Sequence, residues 1–203
     1  RLKLVKKPKL KMKNVLKINH AIKPYKKNIE IEGDKSLSIR WALIASQASG
    51  KSIAYNLLKS EDVINTLNCL IRLGVKVKIF KNRCEIIGVG LNGYKYKKNL
   101  TLNCGNSGTL ARLISGLLVH SKSKIKIIGD KSLSKRDFKR IIEPLKKFGA
   151  KFKGKFGKLP ITIEGTNNAV PINYYEKKGS AQCKSSVMLA ALNTKGRTFI
   201  KAK

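Results

Sequence analysis

Three stretches of the chain place small residues between apolar positions at helical spacing, and each stretch predicts a helix. Each opens with a serine whose side chain is suited to capping a helix: Ser36, Ser107 and Ser180. The predicted helices cover residues 36–48, 107–120 and 180–193. Their starts lie 71 and 73 residues apart, a near-constant spacing that is typical of internal structural repeats.

The segments between these helices also repeat one order of elements. A short strand follows each helix, then a charged amphipathic helix that ends at a glycine, Gly74 or Gly149, and then a pair of strands. Ser60 is the expected cap of the first amphipathic helix, and Pro144 predicts a kink or a late start in the second. The predicted strands are residues 53–57, 75–80, 83–87, 125–128, 150–155 and 161–164, and the amphipathic helices are residues 61–73 and 137–148.

This order predicts an α/β fold of the α+β type, built from repeated β-α-β-α-β-β units. Two copies are visible, and a third begins at Ser180 and includes a strand over residues 197–202. The third copy stops before its amphipathic helix and strand pair, so we expect it to be incomplete here and the polypeptide to continue. Residues 1–28 are expected to form a basic extension and a first strand leading into the domain, which covers residues 29–203.

Composition narrows the class of protein. A chain of 203 residues with 42% hydrophobic content can build a stable core. It has no run of eighteen apolar residues and its first fourteen residues are lysine-rich, unlike a secretory signal, so we expect a cytoplasmic protein without a membrane partner. The four cysteines lie far apart without a CxxC pair, and the chain has only two histidines, which favours neither a metal site nor a disulfide framework.

The formal charge of +34 suggests a different class, a nucleic-acid-binding protein, because such a surface attracts polyanions. The basic residues comprise 37 lysines and eight arginines spread along the whole chain, and aromatic residues make up only 6%. An evenly basic surface with few stacking side chains fits an enzyme of phosphorylated substrates better than a single-strand binder. Charge alone leaves both classes open.

Polar and basic residues gather where the small-residue helices begin. Lys35, Ser36 and Arg40 stand at the start of the first helix. A cation at a helix N-terminus costs about 0.3 to 1 kcal/mol near the surface, so this placement favours an anion bound between the cation and the helix. At the second helix, Asn106 offers a short polar side chain and Gly108 lets a ligand approach the backbone closely.

The third small-residue helix and the second amphipathic helix have similar starts. Ser180 and Gln182 offer side-chain donors, Ala181 offers only its backbone, and Lys135 and Arg136 precede the amphipathic helix. Each cluster alone could be a capped helix with solvated side chains, but four together predict a shared basic cleft for phosphorylated or carboxylated small molecules. No GxxxxGK[ST] motif occurs, so no nucleoside triphosphate is indicated.

Five motifs in this chain resemble those of the 5-enolpyruvylshikimate-3-phosphate synthase family. In order they are GDKSLSIR, NCGNSGTLAR, GDKSLSKR, LPITIEG and GSAQCKSS, and the similarity runs from about residue 29 to residue 203. The related enolpyruvyl transferases that act on UDP-N-acetylglucosamine usually carry Lys-Asn where this chain has Lys35 and Ser36. The shikimate enzyme is therefore favoured, and the sugar-nucleotide enzyme is the alternative within the fold.

The resemblance implies a two-domain protein, each domain made of three β-α-β-α-β-β units. It implies transfer of the enolpyruvyl group of phosphoenolpyruvate to the 5-hydroxyl of shikimate 3-phosphate, releasing phosphate, in aromatic amino acid biosynthesis. By position, the implied ligands of shikimate 3-phosphate are Lys35, Ser36, Arg40, Ser180, Ala181 and Gln182, and those of phosphoenolpyruvate are Lys35, Asn106, Gly108, Arg136 and Gln182.

The same resemblance sets further expectations. The family's proton-transferring carboxylates belong to its second half, so this chain alone should be inactive. No cofactor, metal or nucleic-acid partner is expected, and the complete protein is expected to be a monomer. One departure from the family is Asp137, which stands where proline is usual and places a carboxylate beside Arg136.

Overall fold

Helices and strands alternate along the chain in the computed structural model, which describes residues 24, 26–29 and 31–202. The chain divides into a unit of residues 1–31 and a unit of residues 32–203, and every element below belongs to the second unit. The basic extension and first strand predicted within residues 1–28 fall almost wholly outside the described residues.

Five α-helices and nine strands form within the described part of the chain. The helices are α1 (Lys35–Ala45), α2 (Glu61–Arg72), α3 (Gly108–Leu117), α4 (Lys139–Lys147) and α5 (Ala181–Leu192). The strands are β1 (Lys51–Tyr55), β2 (Lys76–Ile79), β3 (Arg83–Ile87), β4 (Leu100–Asn103), β5 (Ile125–Ile128), β6 (Lys151–Lys153), β7 (Ile161–Glu164), β8 (Asn173–Glu176) and β9 (Phe199–Ala202). Short 3₁₀ turns cover Leu118–His120 and Leu133–Lys135.

The predicted repeat is confirmed, and its second copy is complete in the order β4-α3-β5-α4-β6-β7. Its sheet has the strand order β4-β5-β7-β6, with β4 and β5 parallel and the other pairs antiparallel. The first copy gives an antiparallel sheet of order β1-β3-β2, and the third gives the parallel pair β8 and β9 around α5. The helices α1, α3 and α5 begin at residues 35, 108 and 181, which makes both spacings 73 residues.

The central helix α3 anchors the hydrophobic core, since each of its residues except Arg112 is buried. Apolar side chains from α1, α2, α4, α5 and the sheets join it in one cluster. Gly116 allows α5 to pack closely, because a Cβ at this position would lie 2.1 Å from the carbonyl oxygen of Ser186. A small residue on α3 therefore allows close packing against α5.

The starts of two helices differ from the sequence prediction. Asp34 caps α1, accepting a hydrogen bond from the N–H of Leu37 at 2.7 Å, so the predicted cap Ser36 lies inside the first turn. Helix α4 begins at Lys139, two residues later than predicted, and Asp137 accepts from the N–H of Lys139 at 2.8 Å. In both cases an aspartate captures an early backbone N–H that the pattern of apolar positions does not reveal.

Among the described residues, no helix is long and apolar enough to cross a membrane. The same residues contain no group of three His, Cys, Asp or Glu side chains arranged to hold a metal ion. The four cysteines are buried free thiols, and a hydrogen bond with Cys69, together with burial, raises the pKa of Cys104 well above its ordinary value.

Candidate functional site

The first turns of α1, α3 and α5 lie at one end of the molecule, which we call the entrance end. Thr109 bonds to Gln182, and further along α3 the carbonyl of Arg112 accepts from Ser186, so α3 and α5 run in the same direction. Helix α1 runs with them, because Arg40 in its middle donates to Ser185 of α5, and Gln47 just after its end accepts from Asn193 just after the end of α5. Three N-termini, each with positive dipole charge and first-turn N–H groups lacking intrahelical acceptors, therefore share one surface.

The start of α1 brings together Lys35, Ser36 and Arg40. The ammonium of Lys35 lies 3.2 Å from a carboxylate oxygen of Asp62 on α2, and half of the Lys35 side chain remains exposed. The guanidinium of Arg40 donates to the Ser36 carbonyl at 3.3 Å and to the hydroxyl of Ser185 on α5 at 3.5 Å. Arg40 thus lies across the gap between α1 and α5, where a bound anion could accept from it.

The loop before α3 is tied to the loop after β5. Arg136 donates to the side-chain oxygen of Asn106 at 2.7 Å, and the Asn106 amide donates to Asp130 at 2.5 Å. The other carboxylate oxygen of Asp130 accepts from the N–H of Leu133 at 2.6 Å. The bonds from Leu133 and Asn106 lower the pKa of Asp130, so this chain of bonds contains an ionised carboxylate at neutral pH. Its effect is to fix Arg136 at the entrance end.

Arg112 is a site residue that the sequence prediction did not assign, although it stands one turn inside α3. It donates to the side-chain oxygen of Gln182 at 2.7 Å and to the carbonyl of Asp137 at 3.3 Å, and its guanidinium lies 5.0 Å from the ring centre of Phe138. Burial lowers the pKa of Arg112, and the nearby cation Arg136 lowers it further. The signal that could have identified Arg112 is its position in α3, directly comparable with Arg40 in α1.

Two guanidinium groups flank the space above Gly108. A Cβ at Gly108 would lie 2.8 Å from Nη1 of Arg112 and 2.9 Å from Nη1 of Arg136. Two cations this close to one point repel each other unless an anion lies between them, and the N-terminus of α3 supplies further positive potential. This geometry suits a phosphate or carboxylate group, which Arg binds with paired hydrogen bonds.

A buried carboxylate, Glu176, lies at the end of β8 just before α5. It pairs with Arg140 of α4 at 3.0 Å and accepts from the N–H of Lys178 at 2.9 Å and from the hydroxyl of Tyr174. Burial would raise the pKa of Glu176, but these bonds outweigh it and lower the pKa to about 2. No motif in the sequence marked this residue, because a single glutamate in a polar strand has no distinctive pattern.

The structure brings the sequence-predicted residues together at the entrance end. Lys35, Ser36 and Arg40 lie on α1, Ala181 and Gln182 on α5, and Ser180 caps α5 by accepting from the N–H of Cys183 at 3.3 Å. Asn106 and Gly108 adjoin Arg136 and Arg112 as described above. Their assignment to particular substrates remains a prediction.

Comparison with known proteins identifies the family of this chain. A family model described as EPSP synthase (3-phosphoshikimate 1-carboxyvinyltransferase) matches residues 19–202. The chain belongs to the EPSP synthase family. Two relatives named 3-phosphoshikimate 1-carboxyvinyltransferase, from Vesicomyosocius okutanii and Syntrophomonas wolfei, are 44% and 38% identical to it over 174 and 185 residues.

Solved structures agree on the fold. An EPSP synthase from Acinetobacter baumannii superposes with a TM-score of 0.80 at 36% identity, covering 85% of this chain and 39% of the solved chain. The two relatives are matched over 86% and 91% of this chain but over only 40% and 43% of their own lengths. The chain therefore spans about 40% of the length of the curated relatives it matches. These matches favour neither the sugar-nucleotide enzyme nor the nucleic-acid-binding alternative.

Proposed function

We propose that this chain supplies one side of the substrate site of a 3-phosphoshikimate 1-carboxyvinyltransferase. The reaction transfers the enolpyruvyl group of phosphoenolpyruvate to the 5-hydroxyl of shikimate 3-phosphate and releases phosphate, a step in aromatic amino acid biosynthesis. The observation that carries the proposal is the pair of guanidiniums of Arg112 and Arg136 above Gly108, at the N-terminus of the buried helix α3. Both substrates are anions that such a site would bind.

Shikimate 3-phosphate is assigned to the gap between α1 and α5. Lys35, Ser36 and Arg40 contribute from α1, and Ser180, Ala181 and Gln182 contribute from α5. The existing bond from Arg40 to Ser185 supports this assignment, because it shows that a group between the two helices is within reach of both. The phosphate would receive charged hydrogen bonds, and the ring hydroxyls would meet neutral donors and acceptors such as the Gln182 amide.

Phosphoenolpyruvate is assigned to the start of α3, with Lys35, Asn106, Gly108, Arg136 and Gln182 as its ligands. The two substrates would then share Lys35 and Gln182, which would place the enol carbon beside the 5-hydroxyl. Addition of that hydroxyl and loss of phosphate involve changing negative charge, which fixed cations stabilise when they are already in position. Arg136 is held in this way by Asn106 at 2.7 Å.

Proton transfer needs an acid and a base with free access to the substrate. Four carboxylates near the entrance end are engaged: Asp62 with Lys35, Asp130 with Leu133 and Asn106, Asp137 with Lys139, and Glu176 with Arg140. The resemblance to the family implies an acid and a base in its second half, so we assign them to the part of the relatives' length that this chain does not match. The working protein is proposed to be a cytoplasmic monomer whose partners are its two small-molecule substrates.

Calorimetric titration of the 203-residue chain with shikimate 3-phosphate tests the proposal. We expect saturable 1:1 binding, and Arg40→Ala should weaken it by about tenfold to a hundredfold, since hydrogen bonds to charged groups contribute about 1.5 to 3 kcal/mol. Arg72→Ala is the matched control, because it removes the same charge from an exposed position at the end of α2.

Two outcomes would contradict the proposal. Equal effects of Arg40→Ala and Arg72→Ala would mean that net charge, and not the entrance end, determines binding. Tight binding of duplex DNA with a steep salt dependence, and no response to shikimate 3-phosphate, would favour a nucleic-acid-binding function.

A further inference from the structure

Glu176 is the carboxylate whose environment the proposed reaction does not explain. Only 3% of its surface is exposed, and it lies at the end of β8, four residues before the cap of α5. Taking an ionised carboxylate out of water is costly unless donors surround it. A buried ion pair is also weak evidence of stability in itself, since an apolar side chain often packs as well.

Three donors surround this carboxylate. Arg140 of α4 donates at 3.0 Å, the N–H of Lys178 donates at 2.9 Å, and the hydroxyl of Tyr174 on β8 is the third donor. The N–H of Lys178 belongs to the turn that leads into α5. The carboxylate therefore connects this turn to α4.

The same turn sets where α5 begins. Gly179 adopts a φ of +66°, a left-handed conformation that favours glycine, and places Ser180 at the N-cap. Ser180 then accepts from the N–H of Cys183 at 3.3 Å, and Gln182 lies between Thr109 at 3.0 Å and Arg112 at 2.7 Å. A shift of the turn would move these side chains together, because they lie on one rigid helical turn.

We propose that Glu176 is a positioning residue for the start of α5, holding the turn of residues 177–180 against Arg140 so that Ser180 and Gln182 face the shikimate 3-phosphate site. This rests on the function proposed above for those two side chains. Glu176 itself touches no substrate in this account. It acts through the backbone N–H of Lys178, which it binds at 2.9 Å within the turn.

If Glu176 acted only through its charge, its removal would change the affinity for an anion in the opposite direction. The negative charge of Glu176 offsets Arg140, so removing it would make the entrance end more positive and would strengthen binding of an anion. Positioning instead predicts that binding weakens when the acceptors are lost and recovers when a neutral acceptor is restored. The two roles can therefore be separated with two substitutions at one position.

The variants Glu176→Leu and Glu176→Gln make this test in the 203-residue chain. Leucine removes every acceptor, whereas glutamine keeps one carbonyl oxygen for Arg140 and Lys178 and lets Tyr174 donate or accept. Glu164→Gln is the control for charge, since Glu164 lies on β7 with 41% of its side chain exposed and pairs only loosely with Lys124, at 4.0 Å. Circular dichroism establishes that each variant is folded before it is compared.

Amide hydrogen exchange of the ligand-free chain measures how firmly the turn of residues 177–180 is fixed. Titration with shikimate 3-phosphate measures the effect on affinity. In Glu176→Leu we expect exchange at residues 178–183 to accelerate at least tenfold, with α3 unchanged, and shikimate 3-phosphate to bind about tenfold more weakly. Glu176→Gln should recover most of both effects, and Glu164→Gln should match the wild type.

Unchanged exchange at residues 178–183 in Glu176→Leu would overturn the proposal, as would tighter binding in both Glu176 variants. If Glu176→Leu does not fold, Glu176→Gln still decides the matter, because a tenfold gain in affinity would show a charge effect and would also overturn the proposal. A third outcome separates the two proposals. If exchange at residues 178–183 is slower in the wild type than in Glu176→Leu, but the wild type does not bind shikimate 3-phosphate, the proposed function is contradicted. The fixing of the turn by Glu176 would still be supported.

Discussion

The two ends of the helices α1, α3 and α5 carry different kinds of polar group. At the end away from the entrance, which we call the far end, polar side chains and a backbone carbonyl bond to one another. The hydroxyls of Ser46 and Tyr94 lie 2.7 Å apart, and Asn193 donates to Gln47 at 3.2 Å. The ring of His120 contacts the carbonyl of Ala190 at 3.0 Å. These contacts link the chain just after α1 and just after α3 to the end of α5.

The entrance end gathers charged groups whose interactions are only partly satisfied. Arg112 and Arg136 converge above Gly108, and Lys35 keeps half of its surface in solvent. Cations at helix N-termini add to the positive end of the dipole instead of opposing it. The comparison teaches that one set of parallel helices can hold its packing at one end with hydrogen-bonded polar groups and gather cations at the other end, where we propose that the substrates bind.

The largest effect is expected from a substitution that disrupts the packing of α3 against α5, which supports both ends. In Gly116→Ala the new Cβ would lie 2.1 Å from the carbonyl oxygen of Ser186, a backbone atom that cannot move alone. Helices α3 and α5 would have to separate, so we expect a loss of about 3 kcal/mol or more in the free energy of unfolding. Urea denaturation measures this free energy of unfolding. Gly50→Ala is the control, because nothing lies within 4 Å of its Cβ position, and equal stability of the two variants would show that α3 and α5 do not need this close approach.

Much of the fold that carries this comparison could be predicted from the sequence. The strands β3, β5 and β7 form at the predicted residues, and α2 and α5 match to within one residue at each end. Ser180 caps α5 as predicted, whereas Ser60 occupies the N-cap position of α2 but its hydroxyl makes no capping hydrogen bond. The strands β4 and β8 were not located, since Leu100–Asn103 follows a basic loop and Asn173–Glu176 is polar. Their strand state comes from pairing with β5 and β9, which is a long-range interaction.

The site could be predicted only as far as local patterns extend. Helix starts with serine, glycine and nearby cations are visible in the sequence, so the residues at the three entrances were identified. The GDKS sequence occurs twice, and in both copies the aspartate accepts from the N–H three residues later, Leu37 or Leu133. Arg112 and Glu176 escaped assignment because their partners, Gln182 and Arg140, lie 70 and 36 residues away.

The next largest effect is expected at the entrance end, on the affinity for phosphoenolpyruvate. Gly108→Ala would place a Cβ within 2.9 Å of guanidinium nitrogens of Arg112 and Arg136, whose flexible ends must move aside. We expect phosphoenolpyruvate to bind about tenfold more weakly to the chain with shikimate 3-phosphate present, while the melting temperature stays within about 3 °C of the wild type.

A double-mutant cycle with Arg136→Ala identifies the cause. If Gly108→Ala acts by displacing Arg136, the double variant should bind no more weakly than Arg136→Ala alone. Fully additive losses would mean that the methyl group acts independently of Arg136, and the convergence of charge above Gly108 would then not explain binding.

A smaller effect is expected at the far end. Tyr94→Phe removes the hydroxyl that bonds to Ser46, and burial, which raises the pKa of Tyr94, indicates that little water can replace this bond. We expect a loss of about 1 kcal/mol in the free energy of unfolding and no change in affinity for shikimate 3-phosphate. Tyr55→Phe is the control, since Tyr55 is 72% exposed on β1. A loss of affinity in Tyr94→Phe with unchanged stability would reverse the roles that we assign to the two ends.

The smallest expected effect is a pH dependence at the entrance end that comes from Asp130. Hydrogen bonds from Leu133 and Asn106 lower its pKa in the folded protein. The unfolded chain therefore binds a proton more readily, so the stabilising contribution of Asp130 is present above its unfolded pKa of about 3.9 and is lost as the pH falls through the folded pKa. Asp130→Asn should lose this contribution, so its melting temperature should fall less than that of the wild type between about pH 5 and pH 2.5. Glu164→Gln controls for the removal of one negative charge from a strongly basic protein. Identical pH profiles for Asp130→Asn and the wild type would mean that the bonds from Asn106 and Leu133 do not favour the ionised carboxylate, and the hold on Arg136 would then have to come from Asn106 alone.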